Sequence, residues 1–157
     1  MTELTANSVK RIGIDELNLV AGLFNLYRIF YKKADDLALA EKYLTERLAN
    51  NESVIFVALA DDGKPVGFTQ LYPKYSSVSA VKNWILNDLY VDADHRKQGI
   101  GAKLIETAMD FARGDGSKFM QLETAVTNST AQSLYESIGF IKQPHDDEFY
   151  VYRINVN

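Results

Sequence analysis

Two stretches of the sequence have residue types and spacings that suit chemistry. The first is Arg96-Lys97-Gln98-Gly99-Ile100-Gly101-Ala102, which follows the apolar run Leu89-Tyr90-Val91 and precedes an amphipathic segment from Lys103 to Arg113. That order reads as a strand, a loop and the first turn of a helix. The first N–H groups of a helix have no intrahelical acceptor, and glycines remove the side chains that would keep a ligand off the backbone. Such a turn suits phosphate, and Arg96 and Lys97 add positive charge beside it. The second stretch runs from Asn128 to Phe140. Asn128 is a cap for a helix over Ser129 to Ile138, and Gly139 stands where a glycine would end it. Asn128, Ala131 and Tyr135 then share one helix face. A polar cap, a small residue and a phenol together suit a groove filled by a ligand better than a core.

The elements that must position these stretches follow from hydrophobic periodicity. Ser8 to Ile14 reads as a first strand, and Asp15 as the cap of a helix from Glu16 to about Lys32. Its stripe is Leu17, Val20, Leu23, Phe24, Tyr27 and Tyr31. A second helix spans Asp35 to Ala49 and stops at Asn50-Asn51. Val54 to Ala60 and Val66 to Tyr72 form an antiparallel hairpin about an Asp-Asp-Gly turn, followed by a polar loop over Pro73 to Ser79. Trp84 to Val91 is a central strand, Phe119 to Thr124 the strand after the phosphate-type helix, and Glu148 to Asn155 a last strand by alternation. Strand, helix and strand in succession imply a parallel crossover, so the fold class is α/β with a mixed sheet. Tyr27, Phe30 and Tyr31 with Asp35 and Asp36 could wall a site for an amine; the plainer alternative is that the rings are core and the aspartates cap a helix.

Composition narrows the function. The chain has 157 residues, 46% hydrophobic and 24% charged, which fits one domain with a sizeable core. It shows no apolar run of about 18 residues and no signal-like leader, so a cytoplasmic location is expected, with no membrane partner. The absence of cysteine excludes disulfides, thiolate metal sites and a cysteine acyl-enzyme, and two histidines argue against a histidine-rich metal centre, so no metal is expected. A net charge of −4 argues against general nucleic-acid binding and mildly favours a cationic partner. A dinucleotide is the rival ligand for the glycine turn. The dinucleotide fingerprint needs glycine or alanine where Leu104 stands, and it follows its strand directly, whereas Gly99 comes well after Val91.

With these residues in hand the chain resembles the GNAT superfamily of acyl-CoA-dependent N-acetyltransferases over nearly its whole length. Arg96-x-x-Gly99-x-Gly101-Ala102 matches the family's pyrophosphate loop, and Asn128-x-x-Ala131-x-x-Leu134-Tyr135-x-x-x-Gly139-Phe140 its later helix. The strand Leu86-Asn87-Asp88-Leu89-Tyr90-Val91 looks like that of the branch holding small-amine and polyamine acetyltransferases and yeast enzymes described as histone or D-amino-acid acetyltransferases. The resemblance implies a single domain over residues 1–157, with a mixed, splayed sheet flanked by about four helices. It implies acetyl-CoA as cosubstrate, held by Arg96, Lys97, Gln98, Gly99, Ile100, Gly101 and Ala102, by backbone groups of Leu89, Tyr90 and Val91, and by Asn128, Ala131 and Tyr135. Tyr135 would donate the proton to the departing CoA thiolate. Dimers are common in the superfamily, so a homodimer is also carried as an expectation.

An alkyl ammonium, with a pKa near about 10.4, must lose a proton before it can attack a thioester. In the polyamine branch a glutamate draws that proton through water, but the matching position here is Asn87, which cannot serve. Asp88 is the neighbouring candidate base, although strand alternation points it away from Asn87 unless the strand bulges. Tyr27, Phe30, Tyr31 and Asn87 are the expected contacts for a small-molecule amine. A protein or peptide acetyltransferase and a non-catalytic acyl-CoA-binding module remain as alternatives; Tyr135 weighs against the second.

Overall fold

The computed structural model describes residues 8–157. Its elements are β1 (Ser8–Arg11), a 3-10 turn over Ile14–Leu19, α1 (Ala21–Phe30), α2 (Leu37–Ala49), β2 (Val54–Leu59), β3 (Pro65–Ser76), β4 (Val81–Val91), a short 3-10 turn over Ala93–His95, α3 (Ile100–Gly114), β5 (Met120–Gln121) and α4 (Ser129–Ile138). The strands form one sheet in the order β1-β2-β3-β4-β5. Neighbours are antiparallel as far as β4, and β5 joins β4 in parallel after the α3 crossover. This is the expected mixed α/β architecture, with four α-helices among the described residues. The chain divides into two compact units, one ending at Glu123 and the other being Thr124–Asn157.

Within the first unit the sheet is covered on both faces, which is why β2 reads Val-Ile-Phe-Val-Ala-Leu without alternation. Ile55 and Val57 pack with Val20, Leu23 and Phe24 on the α1 side and Leu44 of α2. Phe56 points the other way and meets Phe111 of α3 at 5.9 Å between ring centres, and Trp84 of β4 meets the same ring at 5.1 Å. Each fully buried Leu or Phe contributes about 1.5–3 kcal/mol, so packing on both faces stabilises the sheet that carries β3 and β4.

Four of the differences from expectation have identifiable reasons. The helix expected over Glu16 to Lys32 is broken, because Val20 N–H bonds to Leu17 O in 3-10 fashion before α1 begins. Pro73 to Ser76, expected in a loop, extend β3. The β2 ladder ends at Leu71, so Pro73 sits on an edge where its missing N–H costs nothing to the sheet. The strand expected over Phe119 to Thr124 is confined to Met120–Gln121. In the second unit, Glu148 to Asn155 form no strand despite their alternation. Alternation is satisfied only by a hydrogen-bonded neighbour, and Phe149, Tyr150, Val151, Tyr152 and Ile154 are instead 72–93% exposed.

Candidate active site

The route from β4 to α3 carries the glycine stretch. Gly99 is the residue before the helix and adopts φ 79°, a left-handed conformation that a side chain would strain, and no side chain caps the helix. The first bond within α3 is Lys103 N–H to Gly99 O at 3.1 Å. The amides of Ile100, Gly101 and Ala102 therefore face out of the helix end. Lys97, at φ 62°, and Gln98 are exposed on the preceding loop. Arg96 is turned back onto the strand: its Nε donates to Val91 O at 3.0 Å and its guanidinium lies 5.7 Å from the Tyr90 ring centre. Sequence reading did not single out Gly67 of β3. A Cβ there would lie 3.0 Å from Tyr90 O and 3.3 Å from Leu104 Cδ1, so the glycine lets α3 sit directly on the strands.

On its far edge β4 pairs with β5 at two positions only, Trp84 with Met120 and Ile85 with Gln121. From Leu86 to Val91 no strand among the described residues continues that ladder. Leu89, Tyr90 and Val91 thus lie on a splayed edge where an extended ligand can be met by backbone groups other than the Val91 carbonyl, which accepts from Arg96. On the other edge β4 bonds to β3 throughout, with one irregularity: Gln70 faces Asp88 while Leu71 faces Leu86. Asn87 is the extra residue of a β-bulge. The bulge resets the alternation, so Asn87 and Asp88 both line one open cavity of about 380 Å3. Thr69 and Gln70 hold it in place. Thr69 Oγ1 donates to Asp88 O at 2.8 Å, satisfying a carbonyl at the irregular step of the ladder.

Asp88 is 5% exposed. Gln70 Nε2 donates to its Oδ2 at 2.7 Å, Asn87 Nδ2 to its Oδ1 at 3.1 Å, and the Tyr27 hydroxyl also bonds to the carboxylate. Burial raises its pKa above the ordinary 3.8, and the hydrogen bonds from Gln70, Tyr27 and Asn87 offset part of that rise. An aspartate so placed can take a proton near neutral pH more readily than one in water. Tyr43 and Tyr72 close another wall, their hydroxyls 2.7 Å apart, and burial pushes the Tyr72 phenol far upward, helped by Tyr43 and by Asp88. The Tyr72 phenol is therefore a hydrogen-bonding group here rather than a base.

Of the aromatic residues expected at the amine site, Tyr27 and Tyr31 line this cavity with Phe24. Phe30 does not: it is 57% exposed and packs edge-on against Tyr31. Positions 27 and 31 share a helix face, and 30 is turned about 100° from 31. Asp35 and Asp36 are also not part of the wall. Asp35 accepts from Asn25 Nδ2 at 2.7 Å and Asp36 caps α2 through Leu39 N–H at 3.0 Å, so the plainer alternative holds for Asp36 as a cap and not for Tyr27 and Tyr31, which line the cavity. Arg28, Lys33, Leu39, Tyr43 and Tyr72 complete the lining and were not foreseen. The signal for the Asp88 environment was present as Thr69-Gln70, two polar residues inside an apolar strand. A separate cavity of about 370 Å3 beside Arg11–Ile14 and Ser53 offers no carboxylate or phenol.

In the second unit, Asn128 caps α4 by accepting from Ala131 N–H at 3.1 Å, as expected. Tyr135 is half-buried, and its placement is set by the end of its own helix. Gly139 N–H bonds to Glu136 O at 3.1 Å and Phe140 N–H to Tyr135 O at 3.0 Å, with Gly139 at φ 120°. This is a Schellman ending, and the apolar contact that accompanies such endings is here the Phe140 ring against the Tyr135 ring, 6.0 Å between centres.

A mixed sheet whose splayed strand carries a buried carboxylate and leads into an uncapped, glycine-bounded helix start suits an acyltransferase. The chain belongs to the acetyltransferase (GNAT) family, whose family model matches residues 20–140. It is 42% identical over 149 residues to the uncharacterized N-acetyltransferase YhfO of Bacillus subtilis, spanning 95% of this chain and 97% of that protein. It is 31% identical over 106 residues to the aminoglycoside N(6')-acetyltransferase type 1 of Klebsiella aerogenes, spanning 63% of this chain and 66% of that one. A crystal structure of a probable acetyltransferase superposes with a TM-score of 0.84 at 39% identity, covering 96% of this chain and 98% of the other. The family generally uses acetyl-CoA as cosubstrate. Among the described residues no group of His, Cys, Asp and Glu is arranged to hold a metal ion, and no helix is long and apolar enough to cross a membrane.

Proposed function

We propose that residues 1–157 act as one cytoplasmic acetyltransferase domain that moves the acetyl group of acetyl-CoA directly to the primary amine of a small molecule. The observation that carries this reading is Asp88, buried at a bulge beside the splayed edge of β4 and lining an aromatic cavity. The pyrophosphate sits on the amides of Ile100 to Ala102, and the pantetheine arm runs along Leu89 to Val91. The ammonium gives one proton to Asp88, Asn87 holding the carboxylate in orientation. The neutral nitrogen attacks the thioester carbon, and the oxyanion that forms is met by a backbone N–H at Leu89 or Tyr90. The carbon–sulfur bond then breaks, the thiolate takes a proton from the Tyr135 hydroxyl, the nitrogen's second proton restores the phenol, and Asp88 releases its proton to solvent. The balance is ammonium plus acetyl-CoA giving acetamide, free CoA and one proton to solvent.

A small acceptor is supported by the cavity volume, near the lower end of the roughly 300–1,000 Å3 range of ligand pockets, and by the aminoglycoside acceptor in the name of the Klebsiella relative. The test is a panel of small amines, amino acids, polyamines and peptides assayed for CoA release, with mass spectrometry of the products. Acetylation of peptides or proteins alone would refute the small-molecule reading.

A further inference from the structure

The cavity beside Asp88 contains more positive charge than an ammonium acceptor calls for. Its charged lining residues are Arg28 and Lys33 against the single carboxylate of Asp88. Asp35 and Asp36, the nearest acidic residues in sequence, are occupied by Asn25 and by the α2 cap. Among the described residues Arg28 makes no ion pair, and its Nη1 is buried without a hydrogen-bond partner. A buried N–H of a cation with no acceptor is costly to the fold, and it is satisfied when an oxyanion arrives. The guanidinium offers a planar fork that matches a carboxylate or phosphate edge.

The end of α1 holds the second cation nearby. Lys32 N–H bonds to Ile29 O at 2.8 Å and Lys33 N–H to Arg28 O at 3.0 Å, with Lys32 at φ 64°. This is the same type of helix ending as in α4, made here without glycine. It ties the backbone of Lys33 to that of Arg28, so that both side chains line one cavity. A polyamine, with several positive charges and one carboxylate to receive them, is a poor match to this lining. A zwitterion, with its ammonium on Asp88 and its acid group on Arg28, matches it.

We propose that the acceptor is a primary amine that also bears an oxyanion, with Arg28 and Lys33 binding the acid group and so selecting amino-acid-like substrates over simple amines and polyamines. This rests on the reading of Asp88 as the group that receives the amine. The aromatic lining of Phe24, Tyr27, Tyr31 and Tyr43 suits an apolar or aryl body on that substrate.

The experiment compares common amino acids with their own amides and decarboxylated amines, and O-phosphoethanolamine with ethanolamine, following CoA release by wild-type protein, Arg28→Gln and Lys33→Gln. In wild type the acidic member of a pair should exceed its neutral partner in kcat/KM by about tenfold to a hundredfold, mostly through KM. The carboxylate and phosphate arms show which oxyanion is read. Arg28→Gln should bring the ratio close to one by raising KM for the acid. Lys33→Gln, at an exposed side chain, should lower the ratio in the same direction and serves if Arg28→Gln does not fold. Equal use of acidic and neutral partners by wild type overturns the proposal, as does a ratio unchanged in the folded variants. Acetylation of none of these amines by protein that binds acetyl-CoA overturns this proposal, and the small-amine function falls with it only if the wider panel of small amines is also left unmodified. Efficient acetylation indifferent to the acid group overturns this proposal alone.

Discussion

Asp88→Asn separates catalysis from stability. The replacement is nearly isosteric at a side chain 5% exposed. It turns one carboxylate oxygen into a donor that would face the amide of Gln70 or Asn87. Gln70 Oε1 has no partner among the described residues, so a flip of the Gln70 amide gives the new N–H an acceptor and the fold is expected to survive. Without a base, only acceptor that is already neutral can react. For an alkyl amine of pKa about 10.4 that is about one part in a thousand at pH 7.4, a loss of about 4 kcal/mol of transition-state stabilisation. The figure lies inside the range of about 10²- to 10⁴-fold usual for general-base help. Wild-type kcat/KM should level off above the Asp88 pKa, whereas the variant should climb about tenfold per pH unit through the neutral range. Stability should move the other way. The folded state holds the Asp88 proton to higher pH than the unfolded chain does, so the unfolded state binds fewer protons in that window. Wild-type stability therefore declines as pH rises from near 3.8 through the raised value. Asparagine carries no such loss, so the variant should melt at or above the wild-type temperature at pH 7.4 and lose that advantage toward acid. CoA release against pH and thermal melts at matched pH decide the matter. A folded variant within about tenfold of wild-type rate, or one that keeps the plateau, would refute Asp88 as the base.

Gly101→Val should raise the acetyl-CoA dissociation constant about tenfold or more by blocking approach to the first-turn amides, and unchanged affinity by calorimetry would remove the phosphate-loop reading. Tyr135→Phe keeps the ring and its contact with Phe140; turnover should fall while acetyl-CoA affinity is retained, and wild-type turnover would exclude the phenol as proton donor. Gly67→Ala forces a Cβ to 3.0 Å from Tyr90 O and 3.3 Å from Leu104 Cδ1. It should cost about 1–3 kcal/mol, seen as a melting temperature lower by several degrees; an unchanged melt would contradict the close seating of α3 on β3.

The parts of the fold legible in the sequence are those fixed by local chemistry. α4 begins and ends at the residues read from Asn128 and Gly139 because a cap and a left-handed glycine act within one helical turn. The Gly99 turn and α3 were legible for the same reason. What the sequence hid depends on neighbours distant along the chain. Asp88 shares a cavity with Asn87 only because Thr69 and Gln70 on the adjacent strand stabilise a bulge, so the sequence could state the condition and not its outcome. Asp35 looked available for a cation until Asn25, on the previous helix, claimed it. Arg28 was passed over because a helical arginine ordinarily lies in solvent, and nothing in its own segment shows that one of its nitrogens is enclosed.

The ending of α4 has a genetic consequence. Tyr135 is held by Gly139 and Phe140, and Gly139 stands at φ 120°, where L side chains are strained. Replacing it would be relieved most readily by unwinding the last turn, which carries the tyrosine carbonyl and the ring clamp with it. In a mutational screen scored only by turnover, such a lesion would mimic loss of the phenol itself. Variants at the two positions should thus group by phenotype while differing in melting behaviour, and a tyrosine retained in a sequence that lacks this helix ending would be a tyrosine without an assigned seat.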